Sequence, residues 1–158
     1  MKIYRNRLRD QRGFNLIELM IVIAIIGLLI GVGAIAWGAM IRSGNETAAT
    51  QTLDRIKTFQ AQYASRNRGK FADFDQLIES AGLDERFTGQ CPVVNGYKFC
   101  MELVPPSATA PASYKVNADP QVPTGPTATG KRYFYIDSSI GTIKASDTGQ
   151  AKDTDPSL

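Results

Sequence analysis

From Leu19 to Ile41 the chain runs through 23 residues without a charge, LMIVIAIIGLLIGVGAIAWGAMI. A helix rises 1.5 Å per residue, so about 20 residues cross the roughly 30 Å hydrocarbon layer of a bilayer. The pattern predicts a membrane-spanning helix with polar residues on both flanks. Beyond it, Ala49, Leu53, Ile56, Gln60 and Tyr63 recur at steps of four and three, with Phe59 beside the stripe. That is one apolar helix face, with Asp54, Arg55, Lys57 and Arg66 mostly off it. The periodicity predicts that the helix continues to Arg68 and stops at Gly69, a residue suited to a left-handed cap.

The pattern then changes. Asp73-Phe74-Asp75-Gln76 reads as a helix start, with Asp73 as cap and Gln76 three residues on. Phe74, Leu77, Ile78 and Ala81 form its apolar side, and Gly82 is the stop. Strands are predicted over Tyr97–Val104, Ser113–Ala118, Lys131–Asp137 and Thr142–Ala145, separated by the proline-rich loops Pro105–Pro111 and Pro120–Gly130. Tyr133, Phe134 and Tyr135 should alternate between core and solvent. A long helix, a minor helix and then an antiparallel sheet is α+β.

Within Cys91-Pro-Val-Val-Asn-Gly-Tyr-Lys-Phe-Cys100, the Asn-Gly pair signals a two-residue hairpin. Counted from the turn, 94 faces 97, 93 faces 98, and Cys91 falls opposite Cys100 at a non-hydrogen-bonded pair, compatible with a disulfide. Pro92 falls at a hydrogen-bonded position without an N–H, so the ladder must fray or bulge there. Eight intervening residues and the lack of other ligands disfavour a redox or metal site.

Charge sharpens the picture. The chain of 158 residues carries 18 basic and 15 acidic side chains, with a pI near 8.9. Lys2, Arg5, Arg7, Arg9 and Arg12 oppose only Asp10 in the first thirteen residues, so the positive excess lies in the N-terminal head. By the positive-inside rule that head stays cytoplasmic and the bulk of the chain lies across the membrane. Histidine is absent, which removes the commonest general base and zinc ligand. No catalytic constellation remains, and no cofactor or metal is expected. Asp147, Asp153 and Asp155 lack the spacing of an EF-hand loop, and residues 146–158 read as a polar, frayed tail. Arg55, Lys57, Arg66, Arg68 and Lys70 point to several helix faces, whereas phosphate binding needs convergent cations. A solvated surface is the favoured reading there, with nucleic acid a less expected partner.

One residue is out of place: Glu18 sits among Phe14, Leu16, Ile17, Leu19 and Met20. A carboxylate near membrane depth calls for a partner. The residues RGFNLIELMIVIAIIG, Arg12 to Gly27, closely resemble the prepilin signal and N-terminal helix of type IV pilins and type II secretion pseudopilins. The resemblance implies a leader ending at Gly13, removed by a membrane-embedded aspartyl prepilin peptidase, and N-methylation of the new N-terminus Phe14. It implies that Glu18, fifth in the mature chain, pairs with the Phe14 amine of a neighbouring subunit. In a low-dielectric bundle each ion alone would cost several kcal/mol, so pairing fixes the stagger.

The implied fold is pilin-like, a long N-terminal helix packed on a small antiparallel head. Its expected divisions are 1–13 leader, 14–41 membrane and filament-core helix, 42–68 amphipathic continuation, 69–145 head and 146–158 tail. Implied partners are the chain itself as a helical homopolymer, prepilin peptidase, an inner-membrane assembly platform and membrane lipid before assembly. The head is placed in the periplasm until assembly into a surface pilus, where Cys91 and Cys100 would be oxidised. Many relatives of that kind carry a kinking proline where this chain has Ile35. Here Gly27, Gly31 and Gly33 crowd the same region, suited to helix softening or to close helix approach. Two alternatives remain: a pseudopilin of type II secretion, and a secreted or anchored periplasmic binding domain. In the last, Ala34-Ile35-Ala36 would be a secretory cleavage site and the mature chain would start at Trp37.

Overall fold

A computed structural model describes residues 13–158; the basic head Lys2–Arg12 and the side chains of Ala34 and Ile35 lie outside the described residues. Helix α1 spans Leu16–Arg66 and passes through both units into which the chain divides, one ending at Trp37 and the other Gly38–Leu158. In the first unit α1 is continuous through Gly27, Gly31 and Gly33, and its large apolar side chains among the described residues are exposed. Asn15 opens the helix, its carbonyl accepting from Glu18 and Leu19 N–H groups at 3.0 and 3.2 Å.

In the second unit α1 buries the expected stripe, Ala49, Leu53, Ile56 and Gln60, with Phe59 and Tyr63 packed alongside. The helix ends two residues earlier than the periodicity predicts. Arg68 takes the left-handed conformation at φ 55°, followed by Gly69 at φ 78°, and the Gly69 N–H bonds the Ala64 carbonyl at 2.9 Å. This is the six-to-one bond of a Schellman closure, with the glycine one position beyond its usual place.

Helix α2, Phe74–Ala81, follows its predicted bounds. Asp73 accepts from the Gln76 N–H at 2.8 Å, Gln76 accepts from the Asp73 N–H at 3.2 Å, and Gly82 caps the end at φ 74°. A 3-10 turn over Glu85–Phe87 then leads to the sheet. The strands are β1 (Val93–Val94), β2 (Tyr97–Val104), β3 (Ser113–Pro120), β4 (Tyr133–Asp137) and β5 (Lys144–Ser146). All neighbours are antiparallel and the order is β1-β2-β3-β4-β5. Tyr97, Phe99, Tyr114, Val116, Ala118, Phe134 and Ile136 fill the core face against Leu53, Ile56, Phe74, Leu77 and Phe87. The architecture is α+β and pilin-like.

Three departures have physical causes. Strand β4 begins at Tyr133 rather than Lys131, because the Lys131 N–H and the Arg132 guanidinium both turn to Glu46 on α1, each at 2.9 Å. Strand β5 begins at Lys144 rather than Thr142, because Asp137 accepts the Ser139 and Ile140 N–H groups at 2.8 Å and Gly141 turns at φ 68°. The tail is not frayed. Leu158 and Ala145 N–H groups bond Ile143 and Pro156 carbonyls at 3.0 Å, Lys144 and Ser157 form a bridge, and Ala151 is buried. Asn117 donates to the Ala151 carbonyl at 3.0 Å, so the tail lies over the outer face of the sheet. That cover buries Tyr135 as well as Phe134, and the expected alternation on β4 is lost.

Candidate processing and assembly segment

The bond expected to be cut, Gly13–Phe14, lies in non-helical backbone ahead of α1. A helical amide is tied into its ladder, whereas this one is free of it and accessible to a peptidase. Phe14 is 88% exposed. Glu18 is exposed in the first turn of α1, where a carboxylate complements the positive end of the helix dipole.

From Phe14 to Ile41 the large apolar residues with described side chains stand exposed, among them Ile17, Met20, Ile23, Leu28, Leu29, Ile30 and Trp37. Soluble monomers rarely expose contiguous apolar patches beyond a few hundred Å². This surface needs lipid or other helices around it, and α1 is long and apolar enough to cross a membrane. A Cβ added at Gly27, Gly31 or Gly33 would meet nothing within 4 Å. The three glycines are therefore not required by packing within the chain.

In the head, Cys91 and Cys100 are joined as a disulfide with Cα atoms 4.4 Å apart. Asn95 at φ 50° and Gly96 at φ 74° make the two-residue turn, since both central positions of a type I′ turn need positive φ. Val93 faces Lys98 and Val94 faces Tyr97 in the expected register. Pro92 ends the regular ladder yet keeps one bond, its carbonyl accepting from the Phe99 N–H at 2.8 Å.

Sequence reasoning missed the groups that tie α1 to the head. Asn45 donates to the Thr129 carbonyl at 2.8 Å, one residue before the Glu46 clamp on Lys131 and Arg132. Burial alone would raise the Glu46 pKa, but the Lys131 N–H and the Arg132 guanidinium outweigh it and hold the carboxyl below its ordinary value. Fully buried Gln60 brackets Ala72, donating to its carbonyl at 2.6 Å and accepting its N–H at 3.0 Å. Tyr97 donates to the Arg132 carbonyl at 2.8 Å, and burial pushes its hydroxyl pKa up. Polar residues on an otherwise apolar helix face were the available signal; their partners were not.

No curated protein and no solved structure is significantly similar to the chain. Residues 8–34 match the prokaryotic N-terminal methylation motif, so Gly13, Phe14 and Glu18 lie inside a recognised segment. The motif indicates a structural subunit processed by prepilin peptidase and assembled into a filament. The chain thus carries the N-terminal signal of type IV pilins and pseudopilins at the start of α1, with a pilin-like α+β head behind it.

Proposed function

We propose that the chain is a structural subunit of a surface type IV pilus. Prepilin peptidase hydrolyses the Gly13–Phe14 bond, and the amine released on Phe14 is methylated. The leader, residues 1–13, stays cytoplasmic, and the mature chain is stored in the inner membrane through residues 14–41 with its head in the periplasm. On assembly the apolar surface of 14–41 moves from lipid to neighbouring copies. The Phe14 ammonium of one copy pairs with Glu18 of the next, and Gly27, Gly31 and Gly33 allow close approach or local softening of α1. The amphipathic helix from 42 onward and the disulfide-closed head form the outer layer.

The exposed apolar face of α1 beside a matched methylation motif carries this reading. Relative to water, burial of that face is worth about 25 cal/mol per Å², so it holds the assembled helices together outside the membrane. Lipid tails and neighbouring helices are nearly equivalent apolar surroundings during the transfer itself. The test is isolation of surface filaments followed by intact-mass and N-terminal mass spectrometry of their main component. A chain starting at methylated Phe14 as the principal subunit is the expected result. Recovery only in short periplasmic filaments would assign it to a secretion pseudopilus. A mature chain starting at Trp37 would refute subunit processing altogether.

A further inference from the structure

Arg42 is the first charged residue after the uncharged run ends at Ile41. Its guanidinium lies back along α1, with Nη1 3.5 Å from where a Cβ on Gly38 would stand, beside the last turn of that run. Arg42 also lines a cavity of about 410 Å³ whose other walls include Lys131, Asp147, Pro123 and Ala128. Lys131 is held at the rim by its backbone, whose N–H bonds Glu46. The side chains of Arg42, Lys131 and Asp147 make no hydrogen bond or ion pair with any described residue. Two cations and one carboxylate thus share a concave site without satisfying one another.

We propose that this cavity binds the headgroup of a membrane phospholipid, the phosphodiester against Arg42 and Lys131 and the amine of a zwitterionic headgroup against Asp147. The inference rests on the membrane-stored state proposed above, which sets Arg42 at the depth of the headgroups. A long basic side chain at the end of an apolar span reaches for that layer. Guanidinium and ammonium groups form charge-assisted bonds to phosphate oxygens, with Arg offering a planar fork. Each charge of a zwitterion meets an opposite one, the phosphodiester against the two cations and the amine against Asp147, and the pair of cations leaves the site with one positive charge in excess. Pro123 and Ala128 supply apolar wall where the glycerol end of a lipid would emerge. A lipid is favoured over free phosphate because the anchored chain meets headgroups at a high effective concentration. Such a contact would hold the stored subunit at a fixed depth and orientation, ready for extraction.

The test uses the full chain. Membrane fractionation comes first: a chain that is not membrane-embedded would sink the stored-subunit reading itself, separately from this site. Native mass spectrometry of the detergent-extracted chain then follows retained phosphatidylethanolamine, phosphatidylglycerol and diacylglycerol, with inorganic phosphate as the free-ion arm. The wild-type chain should retain phospholipid, and Arg42→Gln with Lys131→Gln should weaken retention by about tenfold, the two lost charge-assisted contacts together being worth about 1.4 kcal/mol at an open, solvated site. Asp147→Asn should reduce phosphatidylethanolamine relative to phosphatidylglycerol. Since these side chains carry no internal bonds, thermal midpoints should stay at the wild-type value; Lys131→Gln alone, at the exposed rim, keeps the test open if the double variant misfolds. Equal retention by variant and wild type overturns the site, as does diacylglycerol held as well as phospholipid. Inorganic phosphate bound in place of lipid also overturns it.

Discussion

Replacing Gln60 by Leu removes both ends of the bracket around Ala72 while keeping the side chain's approximate volume. Gln60 and Ala72 are each fully buried, so the Ala72 N–H and carbonyl lose their partners with no water at hand. An orphaned buried polar group costs about 1–3 kcal/mol. Two such groups, less the gain from burying leucine carbon, give a net loss of about 2–4 kcal/mol. For a head of this size each kcal/mol corresponds to roughly 4 °C, so the thermal midpoint should fall by about 8–16 °C. The assay is thermal unfolding of the detergent-solubilised chain followed by near-UV circular dichroism, which reports on the packed aromatic core. Gln60→Glu refines it: the carboxylate keeps an acceptor for the Ala72 N–H but loses the donor, and its charge is buried. It should be at least as damaging near neutral pH and partly recover as acid protonates it. A Gln60→Leu midpoint within 2 °C or so of wild type would refute the claim that the bracket ties α1 to the loop before α2.

Glu18→Ala should leave an inserted, cleavable subunit that assembles poorly, checked by filament yield against membrane-retained mature chain; abundant filaments would remove its proposed pairing role. Glu46→Gln should lower the unfolding free energy at neutral pH. Because the folded-state pKa of Glu46 lies below its ordinary value of 4.5, its ionic stabilisation is present above that value and is lost as pH falls through the folded pKa. The wild-type advantage measured by urea unfolding should therefore shrink below about pH 4.5, and a pH-independent difference would argue against the clamp. Gly130→Ala would drive a Cβ into the buried Tyr97 ring and hydroxyl, so a loss of about 1–3 kcal/mol is expected by the same measurement. Replacing both Cys91 and Cys100 by Ser opens a short loop, for which chain entropy gives about 2.5 kcal/mol; an unchanged denaturation midpoint would show that the hairpin needs no bridge.

Local interactions were legible along the chain. The capping box of α2 joins residues three apart, and the Asn95-Gly96 turn fixes its own register, so Cys91 and Cys100 follow by counting. The apolar run, the helical stripe after it and the segment around Gly13, Phe14 and Glu18 are likewise contained in contiguous residues. Where sequence expectation slipped, a distant group had intervened. Lys131 and Arg132 have strand composition, but Glu46, 85 and 86 residues away, takes their hydrogen bonds and shortens β4. The segment after Ala145 has the composition of a loose tail. Asn117 and the β5 edge nevertheless offer backbone partners that composition cannot reveal, and its docking buries Tyr135.

The sequence by itself determined the class of this protein. The methylation motif over residues 8–34 and the uncharged span are each carried by contiguous residues and need no fold to be read. Tertiary structure alone decided how the head is held to α1 and what its surface offers. Gln60 against Ala72, Asn45 against Thr129 and Glu46 against Arg132 pair groups far apart in the chain. The same folding brings Arg42 to one cavity with Lys131 and Asp147, without pairing them. Periodicity gives the face on which a residue lies; only the folded chain brings the opposing group within hydrogen-bond reach, and burial then makes each such pairing matter energetically.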